Sequence, residues 1–569
     1  MAFTGEILKL LTLFIFCWRL PSGRSYRDKL GTDFQWPDNV NSVIDGQREQ
    51  QLLSDRRWLQ SEPSKGAVWP KPQHMSTTQE RIAVNVVKFS FSYTSYACDI
   101  LTEAFLRYQK ILFDRQCADT LNRINSANEV EQLLGLAVTL ENPCDRFPAM
   151  DSNETYTLSV HSGVATLRAP SIWGAIRGLE TFSQLIYQLE DDEVWVNATV
   201  ITDWPRFQHR GILIDTGLHF IPTKVLLKNL DAMAYNKMNV FHWHITEDES
   251  FPYVSRAFPE MSQKGAFSPY THVYTQEDIA MVIEYARLRG IRVVVEFDTP
   301  AHAGSWGLSH PELMTKCYSG GKPDGTLGPM DPTLDSTYQF LEKFFKEIVT
   351  VFPDGCLHMG GDEIDFDCWQ SNPQITEFMK KQGYSDHYEK LEEYYFDQLL
   401  GIIDNLNHSF ILWEDVWDDK VKIRQDAIIQ LWLDIWRFPY KLDEITSQGY
   451  RVILSSPWYL NYVTDPYDQF WQLYYEVDPQ NFEGTQEQKN LVIGGEACMW
   501  AEFVDGTNVI QRLWPSASFV AERLWSSVDT RDLENAAARV KEQRCRMVGR
   551  GLQAEPIIGP GSCLTEYNP

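Results

Sequence analysis

A chain of 569 residues is long enough for two domains, one of them a large barrel. Its 43% hydrophobic and 23% charged residues, with no low-complexity tract, exclude a disordered or fibrous protein. A formal net charge of -27 without any Lys/Arg run excludes the basic footprint that nucleic-acid binding needs, and it fits an acidic compartment, where protonation reduces self-repulsion.

Lys9 precedes the apolar run Leu10 to Trp18, and Arg19-Leu20-Pro21-Ser22-Gly23 follows. Residues 1–23 therefore read as a signal peptide, with an apolar stretch too short to span a bilayer. The expected destination is the secretory pathway, in the lysosome or outside the cell. No later stretch is long and apolar enough to cross a membrane. Three acceptor tripeptides, at Asn153, Asn197 and Asn407, agree with secretion. Loss of Cys17 with the signal peptide leaves nine of ten cysteines, an odd number whose pairing spacing cannot decide. No Cys-x-x-Cys or His-x-x-x-His pattern suggests zinc, so neither metal nor cofactor is expected.

Residues 24–66 are polar and irregular, a leader segment. Residues 67–200 read as a smaller α+β domain. Helical apolar spacing covers 99–113; Tyr156 to Val160 and Val164 to Arg168 alternate like paired strands around His161-Ser162-Gly163; a helix over 172–189 closes the domain. From 201 to 569 the rhythm changes. Short apolar runs recur at 211–215, 239–245, 291–298, 355–360, 409–414, 427–432, 451–456 and 491–498. Helical stretches fall at 222–235, 275–289, 334–351 and 386–405, and a terminal helix at about 530–550. Eight buried strands, several followed by helices, predict a (β/α)8 TIM barrel, its later connections less regular.

Such a barrel places catalytic groups at the C-terminal ends of its strands. Those ends carry Asp215, Glu247 with Asp248, Asp298 with His302, Asp362 with Glu363, Trp413 with Glu414, Trp432, Tyr459 with Asn461, and Trp500 with Glu502. A ring of carboxylates, one histidine and several tryptophans suits carbohydrate cleavage, which needs an acid for the leaving oxygen and stabilisation of a cationic sugar carbon. Asp362 and Glu363 are adjacent, so both reach one site only where the strand ends and the backbone turns, as Gly360 and Gly361 allow. Of two such carboxyls one should keep its proton. Asp215 and Asp298 read as structural, satisfying loop amides at the rim.

The runs Ala234 to His244, Glu284 to Arg292, Glu296 to His302, His358 to Glu363, Trp458 to Asn461 and Gly494 to Trp500 together resemble the lysosomal β-N-acetylhexosaminidases of glycoside hydrolase family 20. The resemblance extends from Trp69 to the C-terminus. It implies removal of terminal β-linked N-acetylhexosamines with retention, the substrate's own 2-acetamido group acting as nucleophile. By that analogy Glu363 is general acid and then base, Asp362 holds the acetamido N–H, and Tyr459 donates to the acetamido oxygen. Trp413, Trp432 and Trp500 box the sugar, His302 and Glu247 tune Glu363, and Glu502 binds far hydroxyls. Asn461 stands where the family discriminates neutral from sulfated sugars. The resemblance also implies disulfides Cys98–Cys144, Cys317–Cys368 and Cys545–Cys563, with Cys117, Cys356 and Cys498 free. It implies a glycan substrate and a homo- or heterodimer.

Three departures stand out. The family's sugar-gripping arginine is Leu218 here, in Asp215-Thr216-Gly217-Leu218. Loss of one charge-assisted donor costs roughly 1.5–3 kcal/mol, ten- to hundredfold in rate, and more if Glu502 is left buried and unpaired. The family's aspartate partner of His302 is Glu247, one methylene longer and expected to strain the placement of His302. Asn461-Tyr462 matches neither subunit type. Leu218 also supports an alternative: a catalytically weakened relative that binds glycans.

Overall fold

The computed structural model describes residues 65–113, 132–188, 193–462 and 470–556, with Ile558 and Cys563. The expected signal peptide, nearly all of the leader, and Cys117 lie outside the described residues. Those that are described belong to one compact unit, Glu62–Pro569.

Strands β1 (His74–Val84), β2 (Ser90–Tyr93), β3 (Gln132–Leu140), β4 (Tyr156–Val160), β5 (Gly163–Ala169), β6 (Tyr187–Gln188) and β7 (Val194–Asp203) form a mixed seven-stranded sheet. Its order is β1-β3-β5-β4-β7-β6, with β2 on β3 and a further pairing of β1 with β7. The hairpin expected at 156–168 is the antiparallel pair β4–β5, with Ser159 opposite Thr166. Tyr156, Leu158 and Val160 are its buried face, as strand alternation requires. Helix Ile172–Leu185 begins where the Ser171 hydroxyl accepts the Trp173 and Gly174 amides. All of its residues are buried, because it lies between the sheet and the next domain. Arg177 donates to the carbonyls of Arg289 and Gly290, and Gln184 to that of Tyr235.

Eight further strands close a barrel in chain order, every neighbouring pair parallel, the first three being β8 (His209–Asp215), β9 (Val240–His244) and β10 (Arg292–Glu296). Between β10 and the rest, β11 (Met314–Ser319) and β12 (Lys322–Met330) form a separate hairpin turning at Gly320 and Gly321. The remaining barrel strands are β13 (Cys356–His358), β14 (Ser409–Trp413), β15 (Ile428–Leu431), β16 (Arg451–Leu454) and β17 (Val492–Met499). Helices Thr223–Tyr235, Gln276–Arg287, Asp335–Val351 and Glu389–Asn405 fall within two or three residues of the sequence expectation. After β14 the connections shorten and break up, beginning with Glu414–Asp418.

The barrel interior is layered. Its floor is aliphatic: Val240, Val294, Ile411, Ile428, Ile453 and Ile493 pack with Cys356. Above it lie His242, Glu296, His358, Gln430 and Glu496, all buried. At the mouth Leu213, Trp413, Tyr459 and Cys498 pack with Trp432 and Trp500. Strand β9 shows the origin of the layering, since Val240, His242 and His244 are two residues apart and share one face. The alternate residues Phe241 and Trp243 join the core outside the barrel. Branched aliphatics normally fill all layers of such a barrel. Here the middle one is ionisable.

Candidate active site

Strand β13 ends at His358, and the chain turns through Gly360 and Gly361 at φ 69° and 98°. A Cβ at Gly360 would lie 1.6 Å from Asp298 Oδ1, so no other residue fits there. Glu363 itself has φ 52°, a strained conformation for a non-glycine residue. The turn brings both carboxylates to one histidine: His302 Nε2 is 3.6 Å from Asp362 Oδ2 and 3.6 Å from Glu363 Oε2. His302, at φ 49°, presents Nδ1 to Glu247 Oε2 at 3.1 Å. Glu247 Oε1 reaches His244 Nε2 at 3.3 Å. The longer side chain thus spans two histidines and stays within hydrogen-bond reach of His302.

Asp362 is buried, and its Oδ1 has no hydrogen-bond partner among the described residues; the same holds for Tyr459 Oη and His302 Nε2. Buried polar atoms left unsatisfied cost about 1–3 kcal/mol each, so three converging on one mouth define a ligand site. Trp413 and Trp432 have ring centroids 6.4 Å apart, Trp413 and Trp500 6.1 Å, and Trp432 and Tyr459 6.1 Å. The expected tryptophan set does assemble around Tyr459. Asn461 Nδ2 donates to Glu502 Oε2 at 3.4 Å. Glu502 is exposed, so it is not the buried unpaired charge feared from the loss of arginine. Leu218 is half-buried against the core, and its amide donates to Asp215 Oδ1. Arg210 is no substitute: it is buried below, bonded to Glu154.

Two residues passed over at the sequence level belong here. Asp298 Oδ1 accepts the Gly361 amide at 2.9 Å, the rim role expected of it, but its carboxyl also faces Asp362. Burial and the Asp362 charge push its pKa well up, so Asp298 holds its proton more tightly than an ordinary carboxyl. Asp415 accepts the Trp432 indole at 2.7 Å and the Glu363 amide at 3.4 Å; burial and Asp362 raise it to about 7. Its adjacency to Trp413 and Glu414 at a strand end was the available signal. Asp215 accepts the amides of Gly217, Leu218 and Ala501.

Disulfides join Cys98 to Cys144, Cys317 to Cys368 and Cys545 to Cys563, while Cys356 and Cys498 are free and buried. Cys317–Cys368 ties β11 to helix Phe366–Ser371, just beyond Glu363. Ligand-type atoms of His242, Glu296 and His358 come close enough to hold an ion. Those of His242 and Glu296 are hydrogen-bonded to one another, and His358 Nδ1 lies 2.9 Å from Glu296.

A parallel barrel with an acid pair and an aromatic box at its C-terminal mouth defines a glycoside hydrolase. Residues 207–528 match the glycosyl hydrolase family 20 catalytic domain, and 68–185 match a beta-acetyl hexosaminidase like domain. The chain belongs to glycosyl hydrolase family 20. It is 50% identical to the Felis catus beta-hexosaminidase subunit beta over 509 residues, 88% of this chain and 94% of the relative. With the Bos taurus subunit alpha it shares 47% over 508 residues, 88% and 96% of the two chains. The Flavobacterium johnsoniae chitobiase structure aligns with TM-score 0.75 at 28% identity, over 85% of this chain and 73% of that one. A Vibrio harveyi exo beta-N-acetylglucosaminidase shares the fold, with TM-score 0.71 at 21% identity over 87% and 79%.

Proposed function

We propose that this enzyme is an exo-acting β-N-acetylhexosaminidase that removes terminal non-reducing N-acetylglucosamine or N-acetylgalactosamine by a retaining, substrate-assisted mechanism. The observation that carries this reading is the pairing of two unpartnered buried atoms, Asp362 Oδ1 and Tyr459 Oη, inside the tryptophan box. An acetamido group offers one N–H donor, one carbonyl acceptor and one methyl. Asp362 accepts the first, Tyr459 donates to the second, and Trp413, Trp432 and Trp500 enclose the third.

In the first step protonated Glu363 gives its proton to the leaving glycosidic oxygen while the acetamido oxygen attacks the anomeric carbon, forming an oxazolinium ion. Asp362 stabilises the positive charge that develops on the acetamido nitrogen. In the second step ionised Glu363 takes a proton from water, which attacks the same carbon and reopens the ring. Two inversions give retention. His302, charged and facing both carboxylates, favours loss of the Glu363 proton in the first step.

The relatives' designation as beta-hexosaminidase alpha and beta subunits supports a homo- or heterodimer with glycan ends as substrate, and the signal-peptide pattern supports a secretory, lysosomal or extracellular setting. Leu218 favours a second reading, a slow member that chiefly binds glycans, because an apolar side chain stands where a cation would grip hydroxyls. Hydrolysis of an aryl N-acetylglucosaminide decides between them. Wild type should exceed Glu363→Gln by about a thousandfold, within the reach of acid catalysis and charge stabilisation together; equal rates would remove the enzyme reading. Strong inhibition by a thiazoline-fused sugar, which mimics the cyclised intermediate, tests substrate assistance.

A further inference from the structure

The ionisable middle layer of the barrel is continuous with the catalytic site. Glu496, on β17, receives His242 Nδ1 at 2.9 Å. His242 Nε2 reaches Glu296 Oε2 at 2.9 Å, and that same oxygen receives His244 Nδ1 at 2.7 Å. His244 Nε2 lies 3.3 Å from Glu247 Oε1, and Glu247 Oε2 lies 3.1 Å from His302 Nδ1. His302 then faces Asp362 and Glu363. Six side chains from five segments alternate anion and cation from the barrel interior to its mouth. Room is made for the deep end: a Cβ at Gly211 would lie 2.4 Å from Glu496 Cγ.

We infer that Glu496, His242, Glu296, His244, Glu247 and His302 act as one charge-balanced positioning unit, which holds the cation on His302 against Glu363 with Glu296 as its junction. This rests on the reading of Glu363 as the catalytic acid and extends it into the barrel.

Five of the six are buried and His302 is half-buried, and a buried charge persists only when paired. Burial alone would strip His242 of its proton, but Glu496 and Glu296 outweigh it and lift the imidazole to about 9. Burial is likewise overcome at His244 by Glu296 and Glu247, and at His302 by Asp362 and Glu247. The three glutamates are held below the carboxylate range by the histidines despite burial. Three cations and three anions leave no net charge in the unit. Glu296 also accepts the Trp413 indole at 2.7 Å, so the junction orients the sugar box as well.

Other ionisable groups face the unit. At its deep end His209 and Arg292 face Glu496, and Cys498 faces both Glu496 and Glu296. His358 Nδ1 is 2.9 Å from Glu296, and Asp215 faces His244 and Glu247. At the mouth Asp298, Asp248 and Glu249 join Asp362 and Glu363 around His302. Of these, His209 and His358 are held below the usual histidine range by burial, hence neutral contacts.

That difference supplies the test. Removing an anion from the unit eases proton loss from His302 and from Glu363 alike. Glu296→Gln should therefore move the alkaline limb of kcat/KM for an aryl N-acetylglucosaminide down by roughly one pH unit. Glu496→Gln, farther from the mouth, should move it less but in the same direction. His209→Gln touches Glu496 equally without changing charge and should leave the limb in place. An unmoved limb in both glutamate variants, or an equal shift in His209→Gln, overturns the proposal. Should the variants fail to fold, histidine-selective nitrogen NMR on the unmodified enzyme decides. Three imidazolium signals should persist at pH 8, and fewer overturns it. Glu363→Gln activity tests the underlying reading separately.

Discussion

The indole nitrogen of Trp432 donates to Asp415 Oδ2 at 2.7 Å, and the other oxygen of that carboxyl receives the Glu363 amide at 3.4 Å. One half-buried side chain thus sets both a wall of the sugar box and the backbone of the acid. Asp415→Asn keeps the size but offers one acceptor where two donors need accepting. kcat should fall ten- to hundredfold, about 1.4–2.8 kcal/mol, with the melting temperature little changed. Steady-state kinetics with a thermal melt checks this. A fall confined to stability would show that Asp415 merely fills space.

Leu218 is half-buried on the rim that also carries exposed Glu502. Leu218→Arg restores a donor for sugar hydroxyls beside an anion open to solvent, so no buried charge is created. kcat/KM for the aryl glucosaminide should rise about tenfold or more. No gain would refute the assignment of the missing grip to this position.

Proton linkage makes the fold most stable on the acid side of neutrality. His242, His244 and His302 have folded pKa values above their ordinary 6.5. Their contribution is full below that value and is lost as pH rises, through about 9 for His242. Asp215 and Asp415, raised to about 7 mainly by burial, act in the same direction, since the folded state holds their protons longer. Buried neutral His209 and His358 oppose this only below 6.5. The melting temperature should fall steadily between pH 6.5 and 9. A flat or rising profile from scanning calorimetry would contradict the charge states assigned.

The three glycosylation acceptors differ in access. Asn153 and Asn407 are exposed, Asn407 at a turn with φ 57°. Asn197 lies within β7, its amide nitrogen donating to Thr78 O at 3.0 Å and its oxygen receiving Tyr187 Oη at 2.6 Å. Glycopeptide mapping of secreted protein should find glycans at the first two and a largely bare Asn197.

Most of the barrel was legible because its signals are local. Apolar runs with turns between them mark strands, helical periodicity marks four of the crossovers, and a barrel obliges strand ends to meet at one mouth. Asp362, Glu363, His302 and the tryptophans followed from position alone. The hairpin of β11 and β12 carries no comparable local signal, since Gly320 and Gly321 mark a turn between strands only once the partner strand is known.

What the sequence by itself determined is therefore the chemistry at the strand ends, carried by residue type and short-range pattern. Only the tertiary structure decided that burial beside Asp362 raises Asp298, how Glu247 bridges two histidines, and that a charged unit runs beneath the site. The physical reason is that burial and charge pairing act between residues far apart in the chain. Glu496 and His242 are 254 positions apart yet 2.9 Å apart in space, and no local pattern encodes that distance.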